Sequence, residues 1–308
     1  MLRRVFLNLI MIFLALTFQA VSTRAAFPDD PPNDPEYDRW ETGEGGDSFY
    51  DEQWDLFSFT PKGVRLTNQA SGISADLAWR TTTGRKDVMI AVLDSGIDWG
   101  ERDLVNQFSL NKGELPEPQN AGGHSTPGVF DINGDGVFNL QDYANDPRVF
   151  DANENGILDP GDLIQIFSDG IDDDGNGYVD DISGWDFFEE DNDPFDNVKF
   201  HHGTNRSKEA AAQGNNGLGG IGVAPGATLL EIRIGDSFIV DVNDFAQGLL
   251  YAADNGAQLV AAAVGSDNNY RIAKEPVQYA QRQGDVLKAS AAEDNSFHHN
   301  IPTHSDQA

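Results

Sequence analysis

The chain has 308 residues, 39% of them hydrophobic, enough for one large core or two smaller ones. Asp and Glu number 51 against 20 Lys and Arg, a formal charge of −31 that argues against nucleic acid or an anionic membrane surface as a partner. There is no cysteine, so disulfides contribute nothing, and 32 glycines with 14 prolines favour tight turns over long helices.

Residues 1–22 read as a signal peptide: Arg3 and Arg4, an apolar run from Val5 to Phe18, then small residues around Ala20-Val21-Ser22. The run is short for a membrane span, so a secreted chain with no membrane association after cleavage is expected. Residues 23–56 form an acidic, Pro- and Gly-rich arm with no core of its own. The main domain is expected over 57–308. It opens with a short helix at Ile73–Trp79, with Ser74 or Asp76 near its start and Thr82-Thr83-Gly84 at its end. Residues 88–93 are a continuous apolar run, as in a strand covered on both faces, and deliver Asp94 at their carboxyl end.

An insert at 125–200 comes next. Residues 131–200 hold twenty Asp and Glu against only Arg148 and Lys199. Within it Asp131, Asn133, Asp135, Val137, Asn139 and Asp142 recur twenty residues later as Asp151, Asn153, Asn155, Ile157, Asp159 and Asp162. Oxygen donors at positions 1, 3, 5, 9 and 12, with Gly136 or Gly156 at position 6, match an EF-hand-type calcium loop, and Val137 or Ile157 supplies the carbonyl at position 7. The departure is Asp in place of Glu at position 12, as in dockerin-like repeats. A third set is Asp172, Asp174, Asn176 and Asp180 around Gly177. So many acids without counter-cations would repel one another, so Ca2+ in a structural role is expected. Solvated Asx turns are the plainer alternative. A dockerin-like adhesion module would explain the loops but not the strands around them.

After the insert, His202-Gly203-Thr204 opens a helical-looking segment, and 227–234 reads as a second strand. A helix at 242–254 follows, with Val242, Phe245, Ala246, Leu249, Leu250 and Ala253 at helical spacing, Asp241 or Asn243 as cap and Gly256 after its end. A strand at 258–264, a helix at 275–282 and a strand at 285–291 complete an α/β pattern with a mostly parallel sheet. Active residues gather at the carboxyl ends of such strands, where Asp94 lies. Asp94 and His202 are thus candidates for the acid and base that activate a serine. His298 and His299, with His124 and His304, have no zinc-site spacing and read as loop residues.

Four segments in order, Ala91-Val92-Leu93-Asp94-Ser95-Gly96-Ile97, His202-Gly203-Thr204, Gly214-Asn215-Asn216-Gly217 and Gly222-Val223-Ala224-Pro225-Gly226-Ala227, resemble the subtilisin-like serine proteases. The resemblance runs from about Phe57 to the end. It implies a three-layer subtilisin-like fold, incomplete at the C-terminus, with Asp94 and His202 catalytic; His201 is the runner-up base, but the motif's His directly precedes Gly-Thr. It makes Ala263, Val264 and Gly265 the strand that lines the substrate groove. It places the oxyanion position at Asp294, where the family has Ala-Ala-Gly-Asn and this chain has Ala291-Ala292-Glu293-Asp294. An Asp there would repel the developing charge, so Asn295 or Asn300 takes the role or the site is impaired. The segment after Thr204, Asn205-Arg206-Ser207-Lys208-Glu209, is more polar than the family's small apolar helix and is expected to be solvated. No Gly-Thr-Ser-type nucleophile segment occurs before Ala308. The expectation is therefore a monomeric, secreted endopeptidase acting on polypeptides, with its serine beyond Ala308 and these residues inactive alone. The alternative is an exported calcium-binding protein that keeps the fold without the chemistry.

Overall fold

The computed structural model describes residues 27–28, 32–37, 53–56, 72–198, 200–237, 240–264, 271–284 and 287–290. The segment 1–22, most of the arm, Gly265, Asp294, Asn295, His298, His299, Asn300 and His304 lie outside them. The chain builds a five-stranded sheet from β1 (Met89–Asp94), β2 (Trp185–Asp186), β3 (Thr228–Arg233), β4 (Leu259–Ala262) and β5 (Leu287–Ser290). Its order is β2-β3-β1-β4-β5 and every pairing is parallel.

The unbroken apolar run of β1 follows from cover on both faces. Side chains alternate along a strand, so Ala91 and Leu93 join a core with Ile232, Phe245 and Leu249, while Ile90 and Val92 join a second with Leu229, Ala211 and Leu163. The first face is covered by α4 (Val242–Asp254) and α5 (Arg271–Gly284), the second by α2 (Pro160–Phe167) and α3 (His202–Ala211). This makes three layers. The α4 start is capped by Asp241, whose side chain accepts from the Asn243 amide. The first helix, α1, is only Ala75–Ala78; Ser74 precedes it in the left-handed region at φ 65° and its side chain makes no capping bond.

The described pieces of the arm join a core shared with the main domain: Phe27, Tyr37 and Leu56 pack around Trp79 and Ile221. The insert is acidic outside and apolar beneath, with Leu140, Tyr143, Leu163, Ile164 and Ile182 all buried. Each of the first two acidic loops runs into a helical turn, the 3-10 turn Leu140–Tyr143 and α2. Both turns start with a capping box, Asn139 with Asp142 and Asp159 with Asp162, and Pro160 takes the first helical position of α2. Among the described residues no helix is long and apolar enough to cross a membrane.

Candidate active site

The site is built where the end of β1 meets the start of α3. After Asp94 the chain turns through Ser95 and Gly96; Gly96 has φ +96°, and a Cβ there would fall on the Pro194 carbonyl. The first turn of α3 docks on this corner. The Gly203 amide donates to Ser95 Oγ at 3.0 Å, and the Asp98 amide donates to Thr204 Oγ1 at 2.8 Å. A Cβ at Gly203 would overlap the Gly96 carbonyl oxygen, so only glycine permits this approach. The His-Gly-Thr motif is therefore a docking device as well as a carrier of the imidazole.

The docking brings His202 Nδ1 to 2.6 Å from Asp94 Oδ1. The same oxygen accepts from the Ser95 amide at 2.8 Å, and Oδ2 is buried with no hydrogen-bond partner among the described residues. The Asp94 side chain is 1% exposed and that of His202 16%, so the acid is sealed while the base reaches the surface. Phe200 stacks on the imidazole with ring centroids 6.0 Å apart and planes 11° from parallel. The neighbouring His201 precedes the helix with φ 48°, and its Nδ1 is buried with no hydrogen-bond partner among the described residues. Of the two histidines, His202 is the one bonded to Asp94.

The expectation of a solvated segment after Thr204 is corrected at one residue. Ser207 is fully buried and donates to Glu231 Oε1 on β3 at 2.8 Å. Burial pushes the Glu231 carboxyl up to about 8; the Ser207 bond opposes this, and the charges of Asp94 and Asp196 add to it. Ser207 reads as solvated in the sequence because its partner, Glu231, lies on a strand distant in the chain. Past β4, Ala263 is half-buried and Val264 buried.

The three acidic loops share one internal geometry. The carboxylate at position 1 turns back on the loop backbone: Asp131 accepts from the Gly134 and Gly136 amides, Asp151 from Asn155 and Gly156, and Asp172 from Gly175 and Gly177. Position 3 accepts from the amide of position 5, through Asn133, Asn153 and Asp174. Position 5 accepts from position 7, through Asp135, Asn155 and Asn176 to the amides of Val137, Ile157 and Tyr178. Asp142 and Asp162 are buried and bond the amides of positions 2 and 3, whereas Asp159 takes the Asn153 and Asn155 side-chain amides. Asn139 accepts from the Gln141 amide, and Asp180 closes its loop by accepting from the Asp169 and Gly170 amides.

Only in the third loop, among the described residues, do three acidic groups bring ligand atoms within 4.8 Å of one another: Asp172, Asp174 and, from outside the insert, Glu114. Glu114 is buried, and its Oε2 has no hydrogen-bond partner among the described residues. Sequence reasoning missed it, because a lone Glu sixty residues before its loop carries no pattern. A second buried acidic group also went unread. Asp103 is buried and pushed up to about 7, chiefly by burial, and the charge of Asp34 adds to the shift. Asn216 bridges the two, donating from its side chain to Asp103 and from its amide to Asp34. The Gly-Asn-Asn-Gly motif was the available signal.

A sealed carboxylate bonded to Nδ1 of a part-exposed histidine, at the carboxyl end of a parallel α/β sheet, is the geometry by which serine hydrolases hold their acid and base. The sequence profile described as "Subtilase family" matches residues 85–307, and the chain belongs to that family of serine peptidases. It is 35% identical to the "Thermophilic serine proteinase" of Bacillus sp. (strain AK1) over 37% of this chain and 28% of that protein. It is 32% identical to "Thermitase" of Thermoactinomyces vulgaris over 40% of this chain and 44% of that protein. The matches thus span less than half the length of either relative. Among solved structures, a protease from Pseudoalteromonas arctica PAMC 21717 aligns over 84% of this chain and 58% of its own, at 22% identity and a TM-score of 0.41.

Proposed function

We propose that the chain supplies the acid and base of a secreted, calcium-stabilised subtilisin-type endopeptidase whose serine lies outside residues 1–308. Family membership implies a peptide substrate. The observation that carries the reading is the 2.6 Å contact between His202 Nδ1 and Asp94 Oδ1. With Nδ1 committed to Asp94, Nε2 is the nitrogen that takes the serine's proton as its oxygen attacks the peptide carbonyl. Asp94 fixes the tautomer and stabilises the imidazolium. The proton then passes to the leaving amine, and water hydrolyses the acyl-enzyme. By resemblance Ala263 and Val264 would continue β4 along an extended peptide, and Asp294 or Asn295 would serve the oxyanion position.

Subtilases commonly bind calcium, and the residues here fit it. Glu114, Asp172 and Asp174 converge around a buried carboxylate oxygen, and elsewhere Asp34 with Asp103 forms a buried acidic pair. Calcium there would neutralise like charges and tie loop to body, a structural role only. The signal reading of residues 1–22 accords with the secretion typical of such relatives.

The gene read past the Ala308 codon should encode a serine flanked by small residues. That protein should bind a fluorophosphonate and cleave a fluorogenic peptide, and Asp94→Asn should lower kcat by roughly 10⁴. Residues 1–308 alone should stay unlabelled. Labelling of that piece, or normal turnover by the variant, would reject the proposal.

A further inference from the structure

We infer that Glu231 is a positioning residue for the His202–Asp94 pair, tying the helix that begins at His202, through Ser207, to the strand beside the one that ends at Asp94. The inference rests on the reading of those two residues as acid and base. The first turn of α3 is held by the corner after β1, through Gly203 and Thr204. The second turn is held by Ser207 Oγ on Glu231 Oε1, at 2.8 Å. Glu231 lies on β3 in register with Val92 of β1, two residues before Asp94. The far end of α3 is held separately, by the Val223 and Ala224 amides donating to the Glu209 and Ala210 carbonyls and by Gln107 Nε2 donating to the Ala211 carbonyl. Ser207 is thus the tie that fixes the middle of the helix, next to the turn that carries the imidazole, to β3.

A carboxyl in the middle of a strand buried on both faces is an unfavourable choice unless it does something an apolar residue cannot. Its flanks, Leu230 and Ile232, are buried and apolar. Neutrality makes the arrangement tolerable. The groups that face Glu231 are Asp94 from β1, Asp196 from the segment after β2 and Ser207 from α3, so a charge on Glu231 would meet two like charges in a dry interior. Arg233, two residues along the same strand, is engaged instead by Asp186 at 2.8 Å. The carboxyl is thus held protonated at neutral pH, and its ionisation near pH 8 would place a negative charge beside Asp94 and make His202 harder to deprotonate.

Proton NMR of the histidine-labelled full-length protein tests this. The Nδ1 proton shared with Asp94 should give a resolved downfield resonance, and His202 Hε1 should show, besides its own titration, a second step near pH 8. Glu209 also faces the imidazole but is common to every variant. Glu231→Gln keeps an acceptor for Ser207, so it should retain the downfield proton and lose the second step. Ser207→Ala removes the tie with little change in volume and should speed exchange of that proton with water about fivefold, the equivalent of one typical hydrogen bond. A second step that survives in Glu231→Gln, or exchange in Ser207→Ala equal to wild type, overturns the inference. Asp94→Asn should abolish the downfield proton; its persistence there would instead overturn the acid–base reading itself.

Discussion

Asp94 and Asp131 are both carboxylates at the mouth of a turn, yet they sit in opposite kinds of surroundings. Asp94 is sealed at the end of a central strand, bonded to an imidazole and one backbone amide, and placed by packing on every side. Asp131 lies on an exposed loop and bonds only amides of its own turn. One is positioned by the fold. The other shapes its own loop. The difference teaches where each region is vulnerable: the dyad to small changes in backbone spacing, the insert to changes in charge.

The hardest blow to the first region is a single methyl group. Gly203→Ala should lift α3 from the Ser95–Gly96 corner, cost about 1–3 kcal/mol by urea unfolding, and separate His202 from Asp94. Unchanged stability together with an intact Nδ1 resonance would show that packing does not set the spacing.

The second region should answer to chelation. Calcium at a hundredfold excess over its dissociation constant would add about 2.7 kcal/mol, a fall in Tm of roughly 5–10 °C when EDTA removes it. Glu114→Gln should lose most of that increment while leaving the metal-free protein no less stable, since burial already holds this carboxyl above its ordinary range. A calorimetric scan indifferent to EDTA would remove calcium from the account.

The smallest effect sharpens the contrast within the insert. Asp131→Ala gives up two exposed amide bonds, worth about 1 kcal/mol or less. An equal loss with and without calcium would mark the first loop as an Asx turn, and a larger loss in calcium would mark it as a ligand set.

What the sequence made legible follows the same divide. β1, β3 and α4 were readable within a residue or two, because each obeys one local rule: an apolar run buried on both faces, or helical spacing behind an Asp cap. Asp94 and His202 were readable because glycine punctuates both. What stayed hidden depends on partners distant in the chain. β2 is two residues long and is a strand only through its pairing with Ile232 and Arg233. α2 was masked by Asp159-Pro160-Gly161, which reads as a turn although Pro begins the helix. Ser207 and Glu114 owe their places to Glu231 and to the third loop, and no spacing rule links them.

The strand that carries Asp94 is hydrogen-bonded along both edges, to β3 and to β4. Its amides can meet solvent only when the molecule opens as a whole, so the acid stands on ground that gives way last. Gentle heat would fray the rim of such a protein long before it disturbed the imidazole's grip at the centre.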